Sequence, residues 1–548
     1  MQFLTFIGFT ALVAIIAYLK TRKETVSSDG YFLGGRSLTA GVIAGSLLLT
    51  NLSTEQIVGL NGSAYESGLS VMVWETLAAI AMVITAIFLL PKYLKGGLTT
   101  VPGFLAKRFD VTTKTLTSGL FLSGYVIVLL PVILYSGSLA ISGMFNVPEL
   151  LGVTHKQSIW ICVWGIGIIG SIYAVFGGLK AVAISDSINA IGLLIGGILI
   201  PIFGLMMIGE DGSIMDGLSV LITENPEKFK SMGSATDPVP FYTIFTGMIL
   251  VQLFYWGTNQ QIIQRALGAK NLKEGQKGLL LASFIKILGP IIVVLPGLIA
   301  FHLFQGNLES ADSAYPELVR KVLPEAWVGF FAAVLFGAIL SSFNSVLNSS
   351  VTLFGIDIYK QHINKDADEK TVVKYGKMFG IVLAIAAMFI APLIANAGSL
   401  FDYLQEINGI YSIPILTIIV VGYLTKRVPA IAAKIGLVSG CLLYIISQFF
   451  MQPYFINSAL ENAKTAGITD TAQLAIIEAQ AYPHFLDIMA ILFLSNIAIM
   501  LLIGKCYPRK EAYVQEYTKQ VDITSWNYTK LVGIAICVIV VGVYVYFA

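Results

Sequence analysis

Thr50-Asn51-Leu52-Ser53-Thr54-Glu55-Gln56 is a polar run embedded in apolar sequence, with Ala40 to Leu49 before it and Ile57 to Leu60 after it. The flanks have the character of a membrane-crossing helix. Hydrocarbon offers no water to backbone groups or carboxylates, so such a run is tolerated only where it faces protein or a water-filled cavity. Two apolar half-helices joined by a polar, unwound centre form the pattern of a solute site at the midplane of a membrane carrier. The stretch points to an all-α integral membrane fold built around a broken helix.

Composition agrees. Of 548 residues, 56% are hydrophobic and 12% charged, with a mean hydropathy of +0.80. Soluble domains carry about 25% charged residues. A net charge of +2 argues against nucleic acid as a partner. The 52 glycines suit helices that approach closely in lipid. Cys162, Cys441 and Cys537 lie inside apolar spans and Cys506 at the edge of one, so no disulfide framework is implied. The four histidines are scattered without metal-ligand spacing. Phe3 to Leu19 lacks a basic leader and a small-residue cleavage site, and runs into Lys20-Thr21-Arg22-Lys23. It is expected to be a retained helix with an external N-terminus rather than a signal peptide.

About fourteen windows are long enough to cross the hydrocarbon core: 2–20, 39–60, 71–91, 117–144, 157–176, 183–208, 239–264, 276–305, 324–358, 374–396, 404–425, 430–451, 482–505 and 528–547. With both termini external (periplasmic), the cytoplasmic side holds 27 Lys and Arg against 6 outside, and Lys286 inside a span completes the 34. This bias supports both count and orientation, because one missed helix would scramble it. A multi-pass protein of the cell (inner) membrane is expected.

Spans 2–6 start inside and spans 7–11 start outside, so two five-helix blocks have opposite topology. Both opening spans are interrupted by polar residues, the seventh by Gln252, Tyr255, Thr258, Asn259, Gln260 and Gln261. Paired interruptions point to a site between inverted repeats. The expected organisation is an extra N-terminal helix and cytoplasmic loop (1–38), a first repeat (39–208), an external loop (209–238), a second repeat (239–425) and three further helices (426–548). Pro131, Pro290, Pro296 and Pro414 mark kinks, and Gly177-Gly178 is expected to end the fifth span in a tight turn.

Several ionisable and amide groups fall deep in the spans. Glu75 sits in Val73-Trp74-Glu75-Thr76, and Lys286 lies ten residues into the eighth span, roughly 15 Å deep. Charges at such depth need one another or a polar ligand. With Glu55, Gln56, Gln252, Asn259 and Gln405 they suit several hydroxyl groups at once, and Tyr255 and Trp256 suit the apolar face of a ring. The plainer alternative is that these groups bond helix to helix. In the ninth span Ser341, Ser345, Asn348, Ser349 and Thr352 share one helical face, with Ser342 and Asn344 beside it. Such oxygens suit a hard cation, together with the free carbonyls of an unwound second span at Leu49 and Leu52 and the charge of Asp186. A small-residue packing stripe is the alternative there. No P-loop, Ser/His/Asp arrangement or metal motif is present, so uphill transport would draw on an ion gradient rather than ATP, and no enzymatic activity is expected.

The motifs Asn51-Leu52-Ser53-Thr54-Glu55-Gln56, Gly177-Gly178-Leu179 with Asp186, Tyr255-Trp256-Gly257-Thr258-Asn259-Gln260, Ile263-Gln264-Arg265, Lys286, Ser341-Ser342 and Asp357-Ile358-Tyr359 together resemble the sodium:solute symporter family, in its sodium/glucose branch. The likeness spans nearly the whole chain. It implies a LeuT-type inverted-repeat (5+5) core, Na+ as coupling ion and a sugar as solute. By position, the resemblance assigns sodium to the carbonyls of Leu49, Leu52 and Ala338, the hydroxyls of Ser341 and Ser342, and Asp186 beside them. A second sodium would use Asn344 and Ser345 with Asp186. The sugar would meet Gln56, Glu75, Lys286, Gln405 and Asn51, with Tyr255 as inner gate. Galactose-transporting relatives carry a Ser where this chain has Ala78 and an Asn where it has Gln252, which alters the hydroxyls read.

The expected function is sodium-coupled import of a galactose- or glucose-like monosaccharide by alternating access, with a monomer sufficient. The rivals are symport of another small solute (inositol, sialic acid, an amino acid or a vitamin anion), or a solute sensor or sodium-leak channel on the same scaffold. A sensor is expected to add a soluble signalling domain.

Overall fold

A computed structural model describes residues 2–21, 28–308, 310–396 and 400–548. Among these residues the protein is all-helical, with one isolated bridge, Leu38 to Ala269, as the only β pairing. The helices that concern the argument are α1 (Gln2–Thr21), α2 (Ala40–Asn51), α3 (Thr54–Ser67), α4 (Val73–Ile84), α5 (Val101–Arg108), α6 (Val111–Gly124), α7 (Leu130–Phe145), α8 (His155–Ile208), α9 (Gly247–Gly257), α10 (Gln260–Leu267), α11 (Leu272–Ile287), α12 (Leu295–Phe304), α13 (Glu325–Thr352), α14 (Glu369–Ile390), α15 (Leu400–Leu424), α16 (Ala430–Ile446), α17 (Phe485–Cys506) and α18 (Thr529–Tyr546).

Nine helical runs among the described residues are long and apolar enough to cross a membrane, and ten if α11 and the helical run Gly289–Phe304, bent by 52°, form one span. The fourteen windows are therefore not recovered as fourteen continuous helices. The second and seventh windows fall short because they are broken: Ala40–Asn51 and Gly247–Gly257 are short apolar helices that stop at the polar runs. The first and fifth windows contain residues whose side chains lie outside the described set, 173–178 among them.

The fifth and sixth windows form one helical run, α8, of 54 residues. At 1.5 Å per residue that is about 80 Å, far more than a bilayer's hydrocarbon core of about 30 Å. The run folds back on itself: Ile169 and Asn189 line the same cavity against Gly337 and Leu340 of α13. The expected turn at Gly177-Gly178 lies between those limbs, in side chains outside the described residues.

Among the described residues one bend lies near an expected proline, at Pro290, and α15 runs through Pro414 as one helix. Pro131 follows a π-helical turn, Tyr125–Leu129, and Pro290 opens the segment after the 52° bend. Pro cannot donate to the preceding turn, so the helix gives way there. Pro414 lies inside α15 and packs where Gly440 leaves room for it.

Candidate functional site

The second span unwinds over two residues. α2 ends at Asn51, Leu52 departs from helical geometry (φ −76°, ψ 55°), Ser53 is extended, and α3 begins at Thr54. The seventh span breaks at Thr258-Asn259, where the Asn259 side chain accepts from the Gln261 backbone N–H at 3.1 Å and so caps α10. Asn is a strong N-cap because its short carbonyl satisfies one of the orphan amides of a new helix. Tyr125 on the next helix layer donates to the same Asn259 oxygen at 2.7 Å.

The two breaks face a cavity lined by Asn51, Glu55, Gln56, Trp74, Leu129, Val251, Gln252, Tyr255, Trp256, Asn259, Leu404, Gln405, Asn408 and Tyr411. Small-ligand sites pair apolar walls with a few convergent polar groups, as this lining does. Seven sequence-expected solute residues meet here: Asn51, Gln56, Gln252, Tyr255, Trp256, Asn259 and Gln405. The side chains are held by one another. Trp256 Nε1 donates to Gln252 Oε1 at 3.2 Å, and Gln252 Nε2 donates to the Trp74 carbonyl at 3.1 Å.

Glu75 and Lys286 are not in the wall. They form a fully buried ion pair behind it, Lys286 Nζ donating to Glu75 Oε1 at 2.6 Å and Oε2 at 2.5 Å. Gln56 Nε2 reaches the same carboxylate at 2.9 Å, linking the pair to the cavity. The pair needs close quarters: a Cβ on Gly289 would fall 2.2 Å from Glu75 Oε2. The Trp256 ring lies 5.7 Å from Lys286 Nζ and adds a cation–π contact.

Asn408 and Tyr411 lie outside the solute residues read from the sequence, whereas Glu55 is among its deep polar groups. Glu55 lines the cavity with its Oε2 free of protein partners. Asn408 and Tyr411 follow Gln405 at intervals of three on α15, and that helical spacing was the available signal.

The second cluster lies where α2 meets α13. Ser342 Oγ donates to the Thr50 carbonyl at 3.1 Å, and Thr50 Oγ1 lies 3.2 Å from Ser345 Oγ. Asp186 on α8 accepts from Ser46 Oγ at 2.7 Å through Oδ2. Its Oδ1, Ser341 Oγ and both side-chain atoms of Asn344 are buried without a protein partner. Leu49, Leu52 and Ala338 are buried members of one apolar cluster. Unsatisfied oxygens in a buried site are costly unless something meets them, and this oxygen-rich set fits a small hard cation. Ser345 is engaged otherwise: its hydroxyl donates to the Ser341 carbonyl at 2.6 Å and takes a hydrogen bond from Arg265.

With this geometry, comparison with known proteins becomes informative. The model of the sodium:solute symporter family matches residues 31–440. The chain is 46% identical over 546 residues to the uncharacterized symporter YidK of Escherichia coli, covering 99% of this chain and 90% of the relative. It is 33% identical over 476 residues to the sodium/glucose cotransporter of Vibrio parahaemolyticus, covering 82% of this chain and 86% of the relative. Among solved structures, a Na+-coupled sialic acid symporter superimposes with TM-score 0.69 over 90% of this chain and 97% of that one, at 19% identity, which shows the shared LeuT-type fold. The protein is a multi-pass membrane transporter, not an enzyme, and it belongs to the sodium:solute symporter family.

Proposed function

We propose that the protein imports a neutral monosaccharide or a cyclic polyol of similar size, one solute with sodium, by alternating access. The observation that carries the solute class is the fate of Lys286. Both oxygens of Glu75 hold it, and the cavity lining contains a carboxylate, three glutamines and three asparagines but no cation. An anionic solute would find no counter-charge there, whereas hydroxyl groups match amide and carboxylate partners. This favours a sugar over sialate, a vitamin anion or an amino acid.

In this reading Gln56, Asn51, Gln252, Asn259 and Gln405 bind hydroxyls, with Glu55 added to the set. Tyr255 and Trp256 cover the ring, and Tyr255 yields on the inward side as the gate. Glu75 and Lys286 act through Gln56, fixing its amide so that the carbonyl faces the solute. Sodium is held by Ser341, Ser342 and the carbonyls of Leu49, Leu52 and Ala338, with Asp186 supplying charge. Loop charges put both termini outside the inner membrane and the α10 end of the seventh span toward the cytoplasm.

Energetics are sufficient. An inside-negative potential of 100 mV gives about 2.3 kcal/mol per charge, and a tenfold sodium gradient adds about 1.4 kcal/mol. One sodium therefore supports roughly 500-fold accumulation. Linkage requires that sodium raise solute affinity and solute raise sodium affinity by the same factor. Binding of labelled galactose, glucose and inositol to the purified protein, in sodium and then in potassium, tests the reading. At least one neutral solute should bind more tightly in sodium, and sialate and proline should fail to displace it. Displacement by sialate or proline would overturn the solute class.

A further inference from the structure

Ile263-Gln264-Arg265 stands out in the sequence, yet its polar side chains take no part in the solute cavity. They face α13 instead. Gln264 accepts from Ser349 Oγ at 2.8 Å and donates to Thr352 Oγ1 at 3.1 Å. Arg265 donates to Ser345 Oγ, to the Gln261 carbonyl, and through Nε to Ser46 Oγ at 3.2 Å. Ser46 passes the contact on to Asp186. All these side chains are fully buried. Withdrawing a guanidinium from water costs several kcal/mol unless its donors and charge are compensated, so its position here is structurally specified.

The contacts have an order. Ser342 meets the second span at Thr50, just before its break, with Ser341 next to it in sequence; Ser345 lies one turn further along α13, and Ser349 and Thr352 follow on the next turns. Arg265 and Gln264 cover the later turns only. They thus close the cytoplasmic side of the oxygen cluster and leave the serines at the break uncovered. The element that carries them, α10, continues from α9, which carries Gln252, Tyr255 and Trp256 in the solute wall, through the Thr258-Asn259 break.

We propose that Arg265 is a positioning residue of the inner ion gate: with Gln264 it clasps α10 onto α13, blocking sodium's exit until movement of the solute-lining half of the same span releases it. The proposal rests on the sodium-site reading given above. It makes the seventh span the coupling element, since one broken helix touches solute at one end and seals the ion at the other. Loss of the clasp would let sodium pass without solute.

The test is efflux of labelled sodium from proteoliposomes in the absence of any organic solute, alongside the shift in melting temperature that sodium produces in detergent. Wild-type protein is expected to be tight and stabilised by sodium. Arg265→Gln is expected to keep the sodium-induced shift while its solute-free efflux rises about tenfold, within the range of ordinary coupling energies. Arg265→Lys should fall between them. Adding Ser342→Ala to Arg265→Gln should return efflux toward wild type, because the ion loses its site. If Arg265→Gln does not fold, the pair Gln264→Leu with Ser349→Ala removes the Gln264 half of the clasp without stranding a charge and should leak, though less than Arg265→Gln would. A tight Arg265→Gln, or a tight pair, that still responds to sodium overturns the gate. Absence of any sodium shift in the wild-type protein overturns the ion-site reading, and the gate with it.

Discussion

Gln56 and Glu75 are joined by one hydrogen bond, Nε2 to Oε1 at 2.9 Å, and through it the cavity between the two broken spans touches a fully buried ion pair. An amide rotates easily and presents either end. Tied by its NH2 to a carboxylate that is itself pinned by Lys286, it can present only its carbonyl and remaining N–H to the cavity. The charged pair thus determines polarity at the wall without contributing a charge to it.

Gln56→Ala should abolish sugar uptake and leave sodium binding intact, because it removes the wall group and keeps the ion pair. Ser342→Ala should weaken apparent sodium affinity and uptake together, since its hydroxyl donates to the Thr50 carbonyl in the last turn of α2 before the break. Sodium-induced thermal shift measured beside uptake separates the two.

Breaking the ion pair from one side is the costly change. Lys286→Met alone strands the Glu75 carboxylate and should destabilise the protein by about 3–5 kcal/mol. The double variant Glu75→Gln with Lys286→Met should recover most of that stability and none of the transport. Chemical denaturation of both proteins in detergent checks the pair.

Gly289→Ala should impair uptake although residue 289 does not line the cavity. Its Cβ would lie 2.2 Å from Glu75 Oε2 and must push the carboxylate away from Lys286. Such overpacking costs typically 1–3 kcal/mol. The expected signature is a lower sugar affinity, read by binding, with the sodium shift retained.

Asn259→Ala should lose the side-chain cap of α10 and leave the Tyr125 hydroxyl proton without its acceptor, while the Gln261 N–H still reaches the Tyr125 oxygen. Cap loss costs about 1 kcal/mol. Asn259→Ser keeps a capping oxygen without adding a buried charge and should hold stability nearer to wild type, so thermal melts of the two variants distinguish capping from general disruption.

What could be read in the sequence was what depends on local chemistry. The polar run 50–56 inside apolar flanks announces a broken helix by itself, and the structure breaks within it, at Leu52-Ser53. Depth in a span singled out Glu75 and Lys286, but their mutual engagement joins residues 211 apart in sequence, and only the packing of α11 against α4 shows that neither lines the cavity. The stripe Ser341 to Thr352 reads as uniform, yet its two halves meet different neighbours: the unwound second span at one end, Gln264 and Arg265 at the other. Which neighbour covers which turn is set by tertiary arrangement. Helix counting suffered from the same cause, since spans broken at functional positions are too short to register as crossings.

The measurement that most directly tests the central claim is accumulation of labelled galactose, glucose and inositol in proteoliposomes carrying the purified protein. An inward sodium gradient and an inside-negative potential are imposed, with potassium replacing external sodium as control. The account predicts that one of these neutral solutes rises above its external concentration in sodium and does not in potassium. Uphill accumulation of sialate or an amino acid, with all three neutral solutes excluded, would contradict it.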